Sequence, residues 1–372
     1  MKIAHLVETL EVGGAETVVA LLAESHLQMG HQPSVHALGR GGPLVQQLES
    51  CGIPVCVHQA HGHSQALSRL FRSFRETRPD VVHCHNAFAT TVGAPAARLA
   101  GVRAVISTRH GLVAPPHPPK REIPFWIAAR FCNYTVAVCE ATRHNLASAR
   151  GSLSRRIVTI RNCAAEARTR PNAVPTKSGF TAVTVARLAP PKDHVTLLRA
   201  AALAIRSVPD LHLWIIGDGV NGPELRRLAA DLQIDGIAEF LGERHDVGDW
   251  LHAADVFVLP SLSEGLPISL LEALAASLPV IVSEVGAMPE IVNLSNAGVI
   301  VPPGDVNALA RALISYAGLR EQRELMRRRA RNAYEQYFLP ERMATQYLEL
   351  YLKCLGHRSS TVSNAAPQGS VQ

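Results

Sequence analysis

Short apolar runs rich in β-branched residues alternate with helix-length amphipathic stretches along almost the whole chain, and this rhythm constrains the fold more than any other feature. Parallel strands cannot be joined by tight turns and need a crossover, usually a helix, so the alternation specifies βαβ units and an α/β fold. Strands are expected at Ile3–Val7, Ser34–Leu38, Val55–Val57, Val81–His83, Ala104–Ser107, Tyr134–Val138 and Ile157–Ile160. The first intervening helix sets Ala15, Val18, Val19 and Leu22 on one face. Between Cys163 and Gly179 the rhythm lapses, with Pro171 and Pro175 among charged residues, the composition of a linker. It resumes with strands expected at Thr181–Ala186, His212–Ile216, Glu239–Leu241, Val256–Leu259, Val280–Val282 and Val299–Val301.

The chain of 372 residues therefore divides into a Rossmann-like first domain (residues 1–163), a linker (164–179) and a Rossmann-like second domain (180–338). The basic stretch Ala308–Gln336 closes the second unit. Pro340 then permits a new helix, Glu341–Leu355 within residues 339–356, able to lie back across the first domain. Residues 357–372, rich in Ser, Gly, Asn and Pro, are expected to be disordered.

A net charge of +6 suits anionic partners such as phosphates, nucleotides or an acidic membrane surface. The seven cysteines are scattered, without a CxxC pair or His-rich metal spacing, which fits a reducing cytosol. Glu8 and Glu11 interrupt any secretory apolar run, and nowhere do about 18 apolar residues run together. The expected location is cytoplasmic, extending to peripheral contact with the cytoplasmic face of a membrane.

In doubly wound sheets ligands sit beyond the carboxyl ends of the strands, so strand-to-helix loops are the place to look for chemistry. After the strand ending at Leu259 comes Ser263-Glu264-Gly265-Leu266-Pro267, then an apolar stretch from Ile268 to Ala276 that contains Glu272. A carboxylate there needs donors, which vicinal ribose hydroxyls or a cation from a neighbouring helix could supply. After the first strand of the second block, Arg187 and Lys192 leave one strand end. With Asp193 capping the next helix, they could converge on a diphosphate or stand as solvated loop charges. No Asp-x-Asp occurs, so no ligand pair for a metal bridging a diphosphate is visible, and metal independence is expected.

These segments resemble the retaining nucleotide-sugar glycosyltransferases of family 4, which have the GT-B fold of two facing Rossmann-like domains. The resemblance rests on Gly13-Gly14-Ala15-Glu16, His110-Gly111, Arg187 with Lys192, Gly217-Asp218-Gly219, and Glu264 with Glu272 seven residues apart, in the family's order. It implies that Arg187 and Lys192 hold the donor diphosphate, Glu272 the ribose, and Glu264 with Gly265 and Leu266 the transferred sugar. His110 faces that sugar from the first domain. Gly13 and Gly14 open a helix whose free N–H groups meet donor phosphate or acceptor, and Gly217, Gly219 and Asn162 join the donor site. The catalytic set so implied is His110, Arg187, Lys192 and Glu264. After Asn162 the family's Gly and acid are replaced by Cys163-Ala164-Ala165, a departure that bears on acceptor or hinge.

The implied reaction moves a sugar from a UDP-, GDP- or other nucleotide-sugar to a glycan or lipid-linked glycan with retention, without a cofactor and without a nucleic-acid partner. An epimerase or phosphorylase on the same fold is the alternative. A nicotinamide oxidoreductase is more remote. Gly217-Asp218-Gly219-Val220-Asn221-Gly222 fits G-x-G-x-x-G, but Pro223 is expected to begin the helix and leave the third glycine outside it.

Overall fold

The computed structural model describes residues 1–111, 122–149, 151–167, 174 and 178–356. The expected disordered tail, and Pro171 and Pro175 of the linker, lie outside the described residues. All thirteen expected strands are present. In the first domain they are β1 (Lys2–Val7), β2 (Gln32–Ala37), β3 (Val55–Val57), β4 (Val81–His85), β5 (Ala104–Arg109), β6 (Tyr134–Ala137) and β7 (Ile157–Thr159). In the second they are β8 (Phe180–Val185), β9 (Leu211–Ile216), β10 (Ala238–Gly242), β11 (Val256–Leu259), β12 (Val280–Ser283) and β13 (Gly298–Val301).

The two sheets run in the orders β3-β2-β1-β4-β5-β6-β7 and β10-β9-β8-β11-β12-β13, with every strand pair parallel. In each the winding reverses beside the first strand, between β1 and β4 and between β8 and β11. Such a reversal sends the neighbouring connections to opposite faces and opens a crevice at the strands' carboxyl ends. Strand interiors such as Val256-Phe257-Val258-Leu259 are buried on both faces because helices cover both sides of the sheet. This is the two-domain GT-B architecture.

The basic stretch after β13 forms two helices, Val306–Gly318 and Arg320–Tyr337. The next, Pro340–Leu355, returns to the first domain as expected. Its Met343, Tyr347 and Tyr351 pack with Ile3, Val18, Leu22 and Ile106. The Tyr351 hydroxyl shares a 2.7 Å hydrogen bond with His83 Nδ1, and the Tyr347 hydroxyl lies 3.0 Å from Thr108 Oγ1. Burying large aromatics with their hydroxyls satisfied is what fastens this helix beneath the first sheet.

The domains also meet directly. Glu290 accepts from Arg161 Nε at 2.8 Å and from the backbone N–H of Glu140 at 3.0 Å, both in the first domain. Val138, Cys139 and Ala164 pack in one cluster with the second domain's Phe257 and Leu271.

Candidate functional site

The second domain's crevice is built from the loops after β8 and β11. The first rises through Arg187 and Leu188 into a short turn at Pro190–Lys192. Asp193, at positive φ, caps the helix His194–Ala204 by accepting from Thr196 N–H at 3.3 Å. The backbone N–H of Leu262, in the second loop, donates to the Pro191 carbonyl at 2.8 Å, locking the two loops together. Lys192 Nζ thereby reaches Glu264 Oε1 at 2.5 Å, and Ser261 Oγ donates to the same oxygen at 2.7 Å. Glu264 is thus held by two donors. A group carrying negative charge into the crevice would compete with it for Lys192.

Gly217 and Gly219 act on the same loop from behind. Both have positive φ, and a Cβ on either would collide with the carbonyl of Ala186 or of Leu188. Their absent side chains let the turn after β9 press against the Arg187 segment, where Leu188 N–H donates to the Asp218 carbonyl at 2.9 Å. Their observed contacts thus support the donor loop from behind. Gly222 is the first residue of the helix Gly222–Asp231, with Pro223 second, a small correction to the expectation that Pro223 would open it. The loop follows β9, not the strand that opens the domain, contrary to the dinucleotide arrangement.

Glu272 lies on the helix Ile268–Ala275 among Leu270, Leu271, Ala273 and Leu274, all buried. Pro267 caps this helix and does not enter its first turn. Among the described residues, no hydrogen bond or ion pair to the Glu272 carboxylate is recorded, so the alternative of a cationic partner from a neighbouring helix finds no support. Desolvation pushes its pKa up to about 7. A carboxylate held this way is primed for a ligand that brings its own hydrogen-bond donors.

The first domain closes the crevice from the other side. Gly265 lies so near the His110 carbonyl that a Cβ there would stand 2.5 Å from that oxygen, and a Cβ on Gly14 would stand 3.2 Å from Ile268 Cγ1. Leu266, 4% exposed, is packed into the second domain's core. Gly13 precedes the helix Gly14–Gln28 with no side-chain cap, leaving its first N–H groups to other partners. Glu16 folds back over Gly13, its pKa raised by burial, with the Arg187 guanidinium close enough to pull it the other way. Sequence reasoning quoted Glu16 in a motif without giving it a site role, although an acid in the first turn of an uncapped helix was a visible signal.

His110 is backed by residues that sequence reasoning missed. Its Nε2 lies 3.1 Å from His85 Nδ1, and its backbone N–H donates to Asn86 Oδ1 at 3.1 Å. Asn86 has positive φ, and both residues sit where β4 ends, the position the crevice rule singles out. Burial lowers the His110 pKa to about 4, against a proton-favouring contact from the Asn162 side chain, so the ring is neutral near pH 7. Asn162 is 3% exposed and lies close to His110, with no hydrogen bond between the two side chains. The chain of rings continues inward, from His85 Nε2 to His5 Nδ1 and from His5 Nε2 to His26 Nδ1, each at 3.3 Å.

Two doubly wound domains that meet where Gly265, beside the Lys192–Glu264 pair, abuts the His110 carbonyl define the GT-B class of fold. Residues 12–168 match the family model described as Glycosyltransferase Family 4, and residues 179–317 match the one described as Glycosyl transferases group 1. The chain belongs to the glycosyltransferases that join these two domains.

It is 27% identical over 283 residues to the UDP-Gal:alpha-D-GlcNAc-diphosphoundecaprenol alpha-1,3-galactosyltransferase of Escherichia coli, across 67% of this chain and 69% of that one. It is 38% identical over 152 residues to the GDP-mannose-dependent monoacylated alpha-(1-6)-phosphatidylinositol monomannoside mannosyltransferase of Corynebacterium glutamicum, across 37% and 39%. That match and several other curated matches span between 25% and 39% of the relatives' own length. The crystal structure of HepE from Anabaena in complex with UDP superposes with a TM-score of 0.84 at 22% identity, over 95% of this chain and 100% of that one, a likeness of fold.

The raised pKa of Glu272 makes a stability prediction. The group binds its proton more tightly folded than unfolded, so it costs nothing below about pH 4.5 and destabilises fully above about pH 7. Glu272→Gln is expected to melt a few degrees above wild type at pH 8, with the difference vanishing towards pH 4.5, in thermal melts across that range. Equal melting temperatures at pH 8 would show that the carboxylate is already satisfied.

Proposed function

We propose that this glycosyltransferase moves a sugar from a nucleoside-diphosphate sugar to a glycan or lipid-linked glycan, with retention of anomeric configuration, in the synthesis of a surface polysaccharide or glycolipid. The observation that carries the reading is the junction of the loops after β8 and β11, where Lys192 meets Glu264, on the same loop that carries Arg187. A donor diphosphate between the domains would take over Lys192, now engaged by Glu264, and draw on Arg187 from the same loop. The freed Glu264 carboxylate would then be available to sugar hydroxyls, and the unpaired Glu272 to the ribose. Arg187 and Lys192 would stabilise charge growing on the departing diphosphate, the largest kind of term a preorganised site supplies. Neutral His110, held by His85 and Asn86, would face the sugar without adding charge. Gly265 against the His110 carbonyl would help exclude water, favouring transfer over hydrolysis. The relatives named for galactosyl and mannosyl transfer to lipid-linked acceptors support this class of donor and acceptor.

UDP or GDP at a hundred times its dissociation constant is expected to stabilise the protein by roughly 2.7 kcal/mol, and Arg187→Ala or Lys192→Ala to abolish most of the shift. Thermal melts with each nucleotide check this, and absence of any shift would refute the donor site. Glu264→Gln is expected to lower turnover with nucleotide binding retained, and Glu272→Gln chiefly to weaken nucleotide binding. Mass spectrometry and NMR of the product, with and without acceptor, separate transfer with retention from epimerisation or phosphorolysis. Transfer is expected to persist in EDTA; loss restored by magnesium or manganese would overturn metal independence.

Peripheral membrane contact through the first domain completes the proposal, and no described helix is long and apolar enough to cross a membrane. The helix His63–Thr77 buries Ala66, Leu70 and Phe74 and leaves Arg72, Arg75 and, just beyond it, Arg78 exposed. Arg69 donates to the carbonyls of His58 and Gln59 and is already engaged. Arg327 and Arg331, on the basic helix Arg320–Tyr337, are bonded to Ala254, Glu166 and Glu335 and are spent on structure. A cavity of about 650 Å³ where the first domain meets the crossover helix, lined by Arg130, Arg155, Arg156 and Lys353 with no acid among its described lining, is a further basic surface, while Arg98 in its wall is bonded to Phe131, Val102, Arg103 and Asn133. Binding to anionic vesicles is expected at low salt and to weaken at physiological ionic strength. Co-sedimentation of wild type and of the Arg72, Arg75 and Arg78→Gln triple variant checks this; undiminished binding by the variant would exclude this helix.

A further inference from the structure

Two clusters of metal-ligating side chains stand among the described residues, and they differ in access from solvent. In the core cluster of His5, His83 and His85, the ring nitrogens are committed. His83 is bonded to Tyr351 and Thr108, His5 to His26 and His85, and His85 also to His110. A cation there would have to break a satisfied network with no route from solvent.

The second cluster lies at the edge of the first sheet. β2 and β3 pair in parallel with His36 opposite Cys56, and His58 follows Cys56 by two positions, so all three side chains leave the same face. One ligand atom from each falls within 4.8 Å of the other two. His36 Nδ1 and His58 Nε2 are 3.1 Å apart. Two nitrogens each about 2.0 Å from a tetrahedral zinc would stand about 3.3 Å apart, so the separation suits one once the rings give up the hydrogen bond they share and turn their lone pairs to a common point.

The other ring nitrogen of His36 lies 3.3 Å from Ser34 Oγ, the kind of outer contact that fixes a ligating tautomer. His58 is held in place by Arg69, which donates to its carbonyl. The rings are buried, whereas Cys56 is exposed, which gives an ion a path in and leaves room for water as a fourth ligand. β3 is a three-residue edge strand, an element that gains from a clip to its neighbour.

From this geometry we infer that His36, Cys56 and His58 form a binding site for a borderline divalent cation of the zinc type, held by two imidazole nitrogens, one thiolate and a water. The Cys56 thiol passes its proton to solvent as its sulfur bonds the metal; the histidines bind as neutral rings with no redox change. The site is separate from the donor crevice and clips β3 to β2, so it carries no step of sugar transfer.

Cobalt(II) titration of the EDTA-treated full-length protein tests the assignment. One equivalent is expected to bind with a thiolate-to-cobalt charge-transfer band and visible bands of tetrahedral intensity, both erased by zinc. Cys56→Ser should abolish the charge-transfer band, Cys51→Ser, at the other exposed cysteine, should leave it intact, and His58→Gln should lower affinity at least tenfold. Circular dichroism of each variant confirms folding, and Cys56→Ser, on an exposed position, is the variant least able to disturb it. No charge-transfer band in wild type, a band that survives Cys56→Ser, or unchanged affinity in folded His58→Gln would each overturn the site.

Discussion

Pairing of β8 with β11 is the contact on which the rest of the second domain's chemistry depends. The two strands are more than 70 residues apart in the chain, yet the register that sets Ala182 beside Val256 and Val183 beside Phe257 brings their following loops side by side. Because the winding reverses there, no helix fills the space beyond their ends. The Leu262 to Pro191 hydrogen bond and the Lys192–Glu264 ion pair are consequences of that register. Sliding one strand by a residue would exchange the side chains of its two buried faces and spoil the packing against both helix layers, which fixes the position of the polar groups at the rim.

The crevice concentrates groups that are unfavourable for folding. Glu272 is desolvated without a recorded partner, Glu16 is forced into a partly buried position at a helix start, and His110 is kept neutral by burial. Each is a cost to the free protein that a polar ligand could relieve, the usual relation between a binding site and stability. The surrounding structure is correspondingly over-determined. The crossover helix fastens the sheet beneath the histidines, and Glu290 with Arg161 and Glu140 fixes the domains at the hinge side. Gly265 matters for the same reason, since any side chain there would hold His110 away from the Glu264 loop.

The strands were readable in advance because a strand buried on both faces must be a continuous apolar run, as at Val256–Leu259, whatever it packs against. Their ends were less so. β4 continues to His85 and β5 to Arg109, polar residues whose extended conformation is imposed by neighbouring strands and not by their own preferences. The arginines show the same division. Their spacing in His63–Thr77 followed from the helical period, but which of them is free depended on the carbonyls of His58 and Gln59 lying beside Arg69. In the arginine triplet at 327–329, packing gives Arg327 and Arg329 backbone partners on other elements, which their spacing along the chain does not show.

Residue order thus announced the α/β class, the βα rhythm of two blocks and the returning helix, because periodicity and loop chemistry are local properties of the chain. Which groups face one another was decided by folding. Lys192 and Glu264 are 72 positions apart, and His36 and His58 are 22 apart. Nothing in their own segments selects those partners. The choice belongs to strand order and register, and these are set by burial of the whole sheet, an energy summed over residues distant from the site.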